Sequence, residues 1–68
     1  MTVFVNDTPH EAPGPAPTLA AALSPLHLDG QRGIAVAVND TVVPRPDWPT
    51  HTLQRQDRIL IIRATQGG

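Results

Sequence analysis

The stretch "GIAVAVNDTVVPRPDW", residues 33–48, decides how the rest of the chain is read. It opens with strict alternation. Ile34, Val36 and Val38 fall on one side of an extended strand, Ala35 and Ala37 on the other. The large side chains are expected to face a helix across a core, and the alanines to leave the opposite face smooth and low. Asn39-Asp40 is a hairpin-turn pair, so Thr41-Val42-Val43 reads as a short return strand ending at Pro44. From Pro44 onward the segment "PRPDWPTHTL" is too rich in proline for regular structure, and Trp48 is expected to cap an edge of the core.

Working outward, "TVFVND" predicts a first strand over residues 2–6 and a second hairpin turn at Asn6-Asp7. "TPHEA" returns as a short strand, which tolerates Pro9 only at its start or on an exposed edge. "PTLAAALSPL" is the one helical stretch. Thr18 is a suitable N-cap, and Leu19, Ala22, Leu23 and Leu26 follow the helical stripe. Pro25 should stop the helix near Leu23, leaving Leu26 to pack from a non-helical turn. "DRILIIRA" is the last strand, with Ile59 and Ile61 on one face and Leu60 and Ile62 on the other. Both faces are apolar, which is more than a one-sided sheet needs, and a mixed sheet can form if this strand lies centrally beside the first. The order is therefore ββαβββ: an α+β domain with a mixed sheet of 4–5 strands on one short helix.

Composition bounds the function. A chain of 68 residues is read as a single domain, residues 1–68. At that size folding buries only about 60% of the unfolded surface. A closed enzyme pocket of roughly 300 Å³ or more is hard to accommodate. The formal net charge is −1, with five arginines, no lysine and six acids. With one Trp, one Phe and no Tyr, neither a basic footprint nor an aromatic ladder for nucleic acid is present. The apolar runs "LAAAL" and "IAVAV" are far shorter than a membrane span requires, and no signal peptide is visible, so a cytoplasmic location is expected. The absence of cysteine excludes disulfides and thiolate chemistry. His10, His27 and His51 lie in separate segments without ligand spacing, so no metal site and no resident cofactor are expected. Asp40 and Asp57 are turn residues by position.

The chain ends "RATQGG", and a Gly-Gly pair at one chosen position has chance odds of roughly one in two hundred. Taken with the element order, these residues identify a resemblance. A small domain of this pattern ending in Gly-Gly resembles the ubiquitin-like β-grasp proteins, and among them the bacterial ThiS-like sulfur carriers of thiamine biosynthesis. The segment at residues 33–48 looks like that family's small-residue strand, Asn-led turn, Val-Pro-Arg and Trp. "QDRILIIRATQGG" looks like its closing strand and tail, and "MTVFVND" like its opening strand. Three departures stand out. Gln56 replaces the Gly that usually precedes the Asp of the final turn, and is strained if that turn requires a positive φ. Pro25 shortens the helix, and Leu60 and Ile62 stand where charge is common.

The resemblance implies a β-grasp body, residues 1–64, and a flexible Gly-Gly tail, residues 65–68. It implies a sulfur carrier, a protein co-substrate rather than an enzyme. Its reacting group is the Gly68 carboxylate, with Gly67 beside it, and Gln66 of the tail is expected to bind a partner. The partners implied are an ATP-dependent adenylating enzyme of the ThiF/MoeB type, a sulfur donor system, and a ThiG-like thiazole synthase that accepts the sulfur. The protein alone is expected to be a monomer. Other destinations remain open: molybdopterin, amino-acid or secondary-metabolite sulfuration, conjugation to lysines as a protein modifier, or an interaction module with an inert tail. Partner docking is assigned to an outer sheet face of Ala35, Ala37, Leu60 and Ile62, flanked by Arg58 and Arg63 as steering charges. The alternatives are that the proline loop or a dimer covers this face, and that the arginines are merely solvated. Arg45 is expected to hold the proline loop through a local hydrogen bond.

Overall fold

The computed structural model describes residues 1–27 and 32–63. Its order is β1 (Thr2–Val5), β2 (Thr8–Glu11), α1 (Leu19–Leu23), β3 (Ile34–Val38), β4 (Thr41–Val42) and β5 (Arg58–Arg63). Two 3₁₀ turns, Ser24–Leu26 and Arg45–Asp47, join these elements. The five strands form one mixed sheet in the order β2-β1-β5-β3-β4. β1 and β5 run parallel at the centre, and every other neighbouring pair is antiparallel. This is the expected β-grasp layout, with the last strand between the first and third.

Both hairpins turn on Asn-Asp. Val5 pairs with Thr8 and Val38 with Thr41, so each loop has two residues. The φ angles are 49° and 68° at Asn6-Asp7, and 50° and 70° at Asn39-Asp40. A turn with positive φ at both central residues matches the twist of the strands it joins, and Asn and Asp tolerate that region better than most residues. β1 ends at Val5, one residue earlier than expected, because Asn6 has already entered the turn. Pro9 lies in β2, at the sheet's edge, where a missing N–H is tolerated.

The helix starts and stops for the reasons read in the sequence. The Thr18 hydroxyl oxygen accepts a hydrogen bond from the Ala21 N–H at 3.1 Å. Pro25 falls in the 3₁₀ turn that follows Leu23, and His27, at φ 59°, ends it in the left-handed region. Leu19 and Leu23 are fully buried, while Leu26 packs half-buried from the turn. Opposite them the sheet presents Val3, Val5, Val36, Val38 and Ile59. Complete burial of one such aliphatic side chain contributes roughly 1.5–3 kcal/mol, which is large for a chain this short.

The proline-rich segment departs from expectation. Proline fixes its own φ near the value a 3₁₀ turn needs, so Arg45–Asp47 is a regular single turn rather than an irregular loop. The residues after it seat the helix. The Leu19 N–H donates to the His51 carbonyl at 2.8 Å, and the Ala20 N–H to the Trp48 carbonyl at 3.0 Å. First-turn N–H groups have no partner inside a helix, and this segment supplies one for each of these two. Thr18 and Thr52 form a β-bridge beside them. Trp48 is buried, and its indole N–H donates to the Val43 carbonyl at 2.8 Å. The Arg45 guanidinium lies 4.5 Å from the centre of the Trp48 ring. Arg45 thus meets its own loop through the face of the indole, a different contact from the local hydrogen bond expected of it.

Candidate functional site

β5 organises the site. Its five residues Ile59 to Arg63 pair with Val38 back to Ile34 of β3, but β1 accompanies only Arg58 and Ile59. Two turn asparagines supply what the neighbouring strands do not. Asn39 receives the Arg58 N–H on its side-chain oxygen at 2.9 Å, and its own N–H donates to the Arg58 carbonyl at 2.8 Å. Its side-chain amide donates to Asp57 Oδ1 at 2.9 Å. The other oxygen of Asp57 receives the Gln54 N–H at 2.8 Å. This largely buried carboxylate is therefore a structural anchor, consistent with its reading as a turn residue. On the opposite side of β5, Asn6 Oδ1 accepts from the Ile61 N–H at 2.8 Å.

Register fixes the outer face. Leu60 stands opposite Ala37, Ile62 opposite Ala35, Val42 opposite Ala37, and Phe4 opposite both Arg58 and Pro9. Leu60 is 49% exposed, Ile62 44% and Val42 59%. Ala35 is exposed too. These side chains form an apolar patch on the strand that continues in sequence to residues 64–68. Gln66, Gly67 and Gly68 lie outside the described residues, as does the whole of the tail expected at 65–68.

Two expectations need correction. Ala37 belongs to this face but offers almost no surface, at 5% exposure. It is flanked by Leu60 and Val42, two larger side chains at the paired positions, which shield it. Arg63 does not flank the patch. It pairs with Ile34 and alternates with Ile62, so it falls on the helix-facing side of the sheet. Arg58 is on the outer face, where its guanidinium meets Asp40 Oδ2 at 3.3 Å, both groups being exposed. The sequence reading missed Val42 and Phe4. Register would have found Val42: a two-residue turn at 39–40 places residue 42 opposite residue 37.

Elsewhere, an open hollow of about 660 Å³ is lined by Met1, Thr2, Gly14, Pro15, Arg55 and Gln56. It sits at the end of the sheet opposite Arg63 and holds no paired carboxylates and no nucleophile beside a base. Nearby, Glu11 accepts from the Thr2 hydroxyl at 2.6 Å and lies 3.5 Å from the chain's ammonium. The hydroxyl first, and then the positive charge, hold its carboxyl below the ordinary carboxylate value. Among the described residues no three His, Cys, Asp or Glu side chains cluster as a metal site would require. Among them, too, no helix is long and apolar enough to cross a membrane.

Comparison with known families matches residues 3–68 to the model of the ThiS family. The chain belongs to the ThiS family. A relative from Escherichia coli (strain K12), named sulfur carrier protein ThiS, is 42% identical over 38 residues. That stretch covers 56% of this chain and 58% of the relative, a little over half of each. The crystal structure of the thiamine biosynthesis protein ThiS from Geobacter metallireducens superposes with a TM-score of 0.80 at 23% identity, covering 100% of both chains. A solution structure of a thiamine biosynthesis protein from the same organism gives 0.72 at 23% identity, over 100% of this chain and 88% of that one. These two structures establish the ThiS fold for the chain. The resemblance read from residues 33–48 and the closing strand thus led to the right family.

Proposed function

We propose that the protein is a sulfur carrier whose reacting group is the Gly68 carboxylate, serving thiazole formation in thiamine biosynthesis. The observation that carries the reading is the placement of β5. This central strand, held between β1 and β3, presents Leu60 and Ile62 outward and leads in sequence to Gly67-Gly68. One element therefore joins a docking surface to the reacting end. The E. coli relative's description as a sulfur carrier supports the same conclusion.

A carboxylate is a poor electrophile. An ATP-using partner converts it to an acyl adenylate, releasing pyrophosphate. A sulfur donor then displaces AMP and leaves a thiocarboxylate, which an acceptor enzyme uses. The chain contributes presentation. Glycine at positions 67 and 68 lacks the Cβ that would obstruct a narrow channel. The absence of cysteine and lysine leaves no side-chain thiol or amine of its own to attack the activated end. The patch around Leu60, Ile62 and Val42 docks the adenylating enzyme, with Arg58 at its rim.

The test is pyrophosphate exchange into ATP by the adenylating enzyme. Exchange should require this protein and vanish when Gly67 and Gly68 are deleted. Exchange that persists with the truncated chain would contradict the reading.

A further inference from the structure

β5 has six residues, yet β1 runs beside only its first two. The chain of β1 turns away at Asn6, whose φ of 49° begins the hairpin. Even so, Asn6 grips β5 twice. Its main-chain N–H donates to the Ile59 carbonyl at 2.9 Å. Its side-chain oxygen, 55 residues away in sequence, receives the Ile61 N–H at 2.8 Å. The first contact is the last main-chain rung of the parallel ladder. The second is the rung that Asn6's own main-chain carbonyl would have made had β1 continued, here supplied by its side chain.

This double duty restricts the residue. The position needs a positive φ, which glycine and asparagine accept most easily. It also needs a short side chain with an acceptor oxygen, which glycine lacks. Asp retains the oxygen. From Leu60 onward, β3 pairs with β5 along the other edge as far as Arg63. Without the Asn6 side chain, that stretch is gripped by main chain from one side only, and can pivot about β3.

We propose that Asn6 is a positioning residue: its side-chain oxygen extends the β1 ladder to Ile61 and sets the line along which β5 hands over to residues 64–68. The consequence for sulfur activation rests on the carrier function proposed above. A reacting group displaced by about 1 Å can lose on the order of a hundredfold in rate, so the alignment of its root strand matters.

The test compares full-length wild type, Asn6→Gly and Asn6→Asp. Asn6→Gly keeps the turn and deletes the rung, whereas Asn6→Asp restores an acceptor. In the free protein, amide exchange at Ile61 should quicken about fivefold or more in Asn6→Gly, as loss of one hydrogen bond implies. The Leu60 and Ile62 amides, which face β3, should be unchanged. With the adenylating enzyme, Asn6→Gly should lower kcat about tenfold and leave KM for the carrier within about twofold, since the docking face is intact. Asn6→Asp should recover most of both effects. Uniformly faster exchange along β5, or a kcat equal to wild type in Asn6→Gly, would overturn the proposal. If wild type itself is not adenylated, the carrier reading fails, while the exchange pattern still decides whether Asn6 holds the strand end.

Discussion

Replacing Gln56 with glycine should stabilise the protein. Gln56 occupies the turn before β5 with φ at 63°, in the left-handed region. An ordinary L-residue pays about 1–2 kcal/mol there because its Cβ crowds the neighbouring carbonyl. Glycine removes that strain but gives the unfolded chain more freedom, which costs about 0.5–1 kcal/mol. The Gln56 N–H donates to the Thr2 carbonyl at 2.8 Å, and glycine retains this bond. The side chain is exposed, so little packing is lost. The net gain should be about 0.5–1 kcal/mol. For a domain this small, each kcal/mol moves Tm by about 4–8 °C, so a rise of about 2–8 °C is expected. Thermal denaturation of three variants reads it. Gln56→Gly should melt highest and Gln56→Asn next. Gln56→Ala, which keeps both the Cβ and the strain, should lie near wild type. A Gln56→Gly variant melting no higher than Gln56→Ala would refute the strain argument.

The remaining expectations concern core, surface and pH. Leu23→Ala, at a fully buried position, should cost about 2–5 kcal/mol and Val36→Ala about 1–3 by urea unfolding. Against a total of about 3–10 kcal/mol for a chain this long, the first removes a large share of the stability. Leu60→Asp and Ile62→Asp should change Tm little, since both positions are about half exposed, yet raise KM for adenylation about tenfold, ~1.4 kcal/mol of docking. Arg58→Ala should alter stability by less than about 1 kcal/mol, because its ion pair with Asp40 is exposed. The Glu11 carboxyl is held below its ordinary value in the folded state, so its contribution is present at neutral pH. That contribution is lost as pH falls from the unfolded carboxylate value through the lowered folded one. Glu11→Gln should therefore shallow the acid limb of a Tm–pH profile and leave the limb above neutrality unchanged.

What the sequence disclosed depended on the range of the interaction. The Asn-Asp turns, the Thr18 cap and the stop at Pro25 are local, and each was legible from adjacent residues. Alternation placed Val36 inside and Leu60 outside. It also held the information that Arg63 is out of step with Arg58, since 58, 60 and 62 share one face and 63 does not. The Ala37 cover by Leu60 and Val42 required knowing which strands are neighbours. The contacts of Asn6 with Ile61 and of Asn39 with Asp57 join residues that only the sheet order brings together. Nothing in the composition of an Asn-Asp pair tells which distant strand its side chain will cap. The seating of the helix by the segment around Trp48 and His51 was hidden for a related reason. It runs through main-chain carbonyls, which every residue possesses.

The central claim is that the Gly68 carboxylate is the group on which the chemistry occurs, and that the folded body presents it. Intact-mass analysis after incubation with ATP, the adenylating enzyme and a sulfur donor tests this most directly. The account predicts a mass gain equal to one oxygen-to-sulfur exchange, confined to the C-terminal peptide. An unchanged mass, with both partners shown to be active on another carrier, would contradict it.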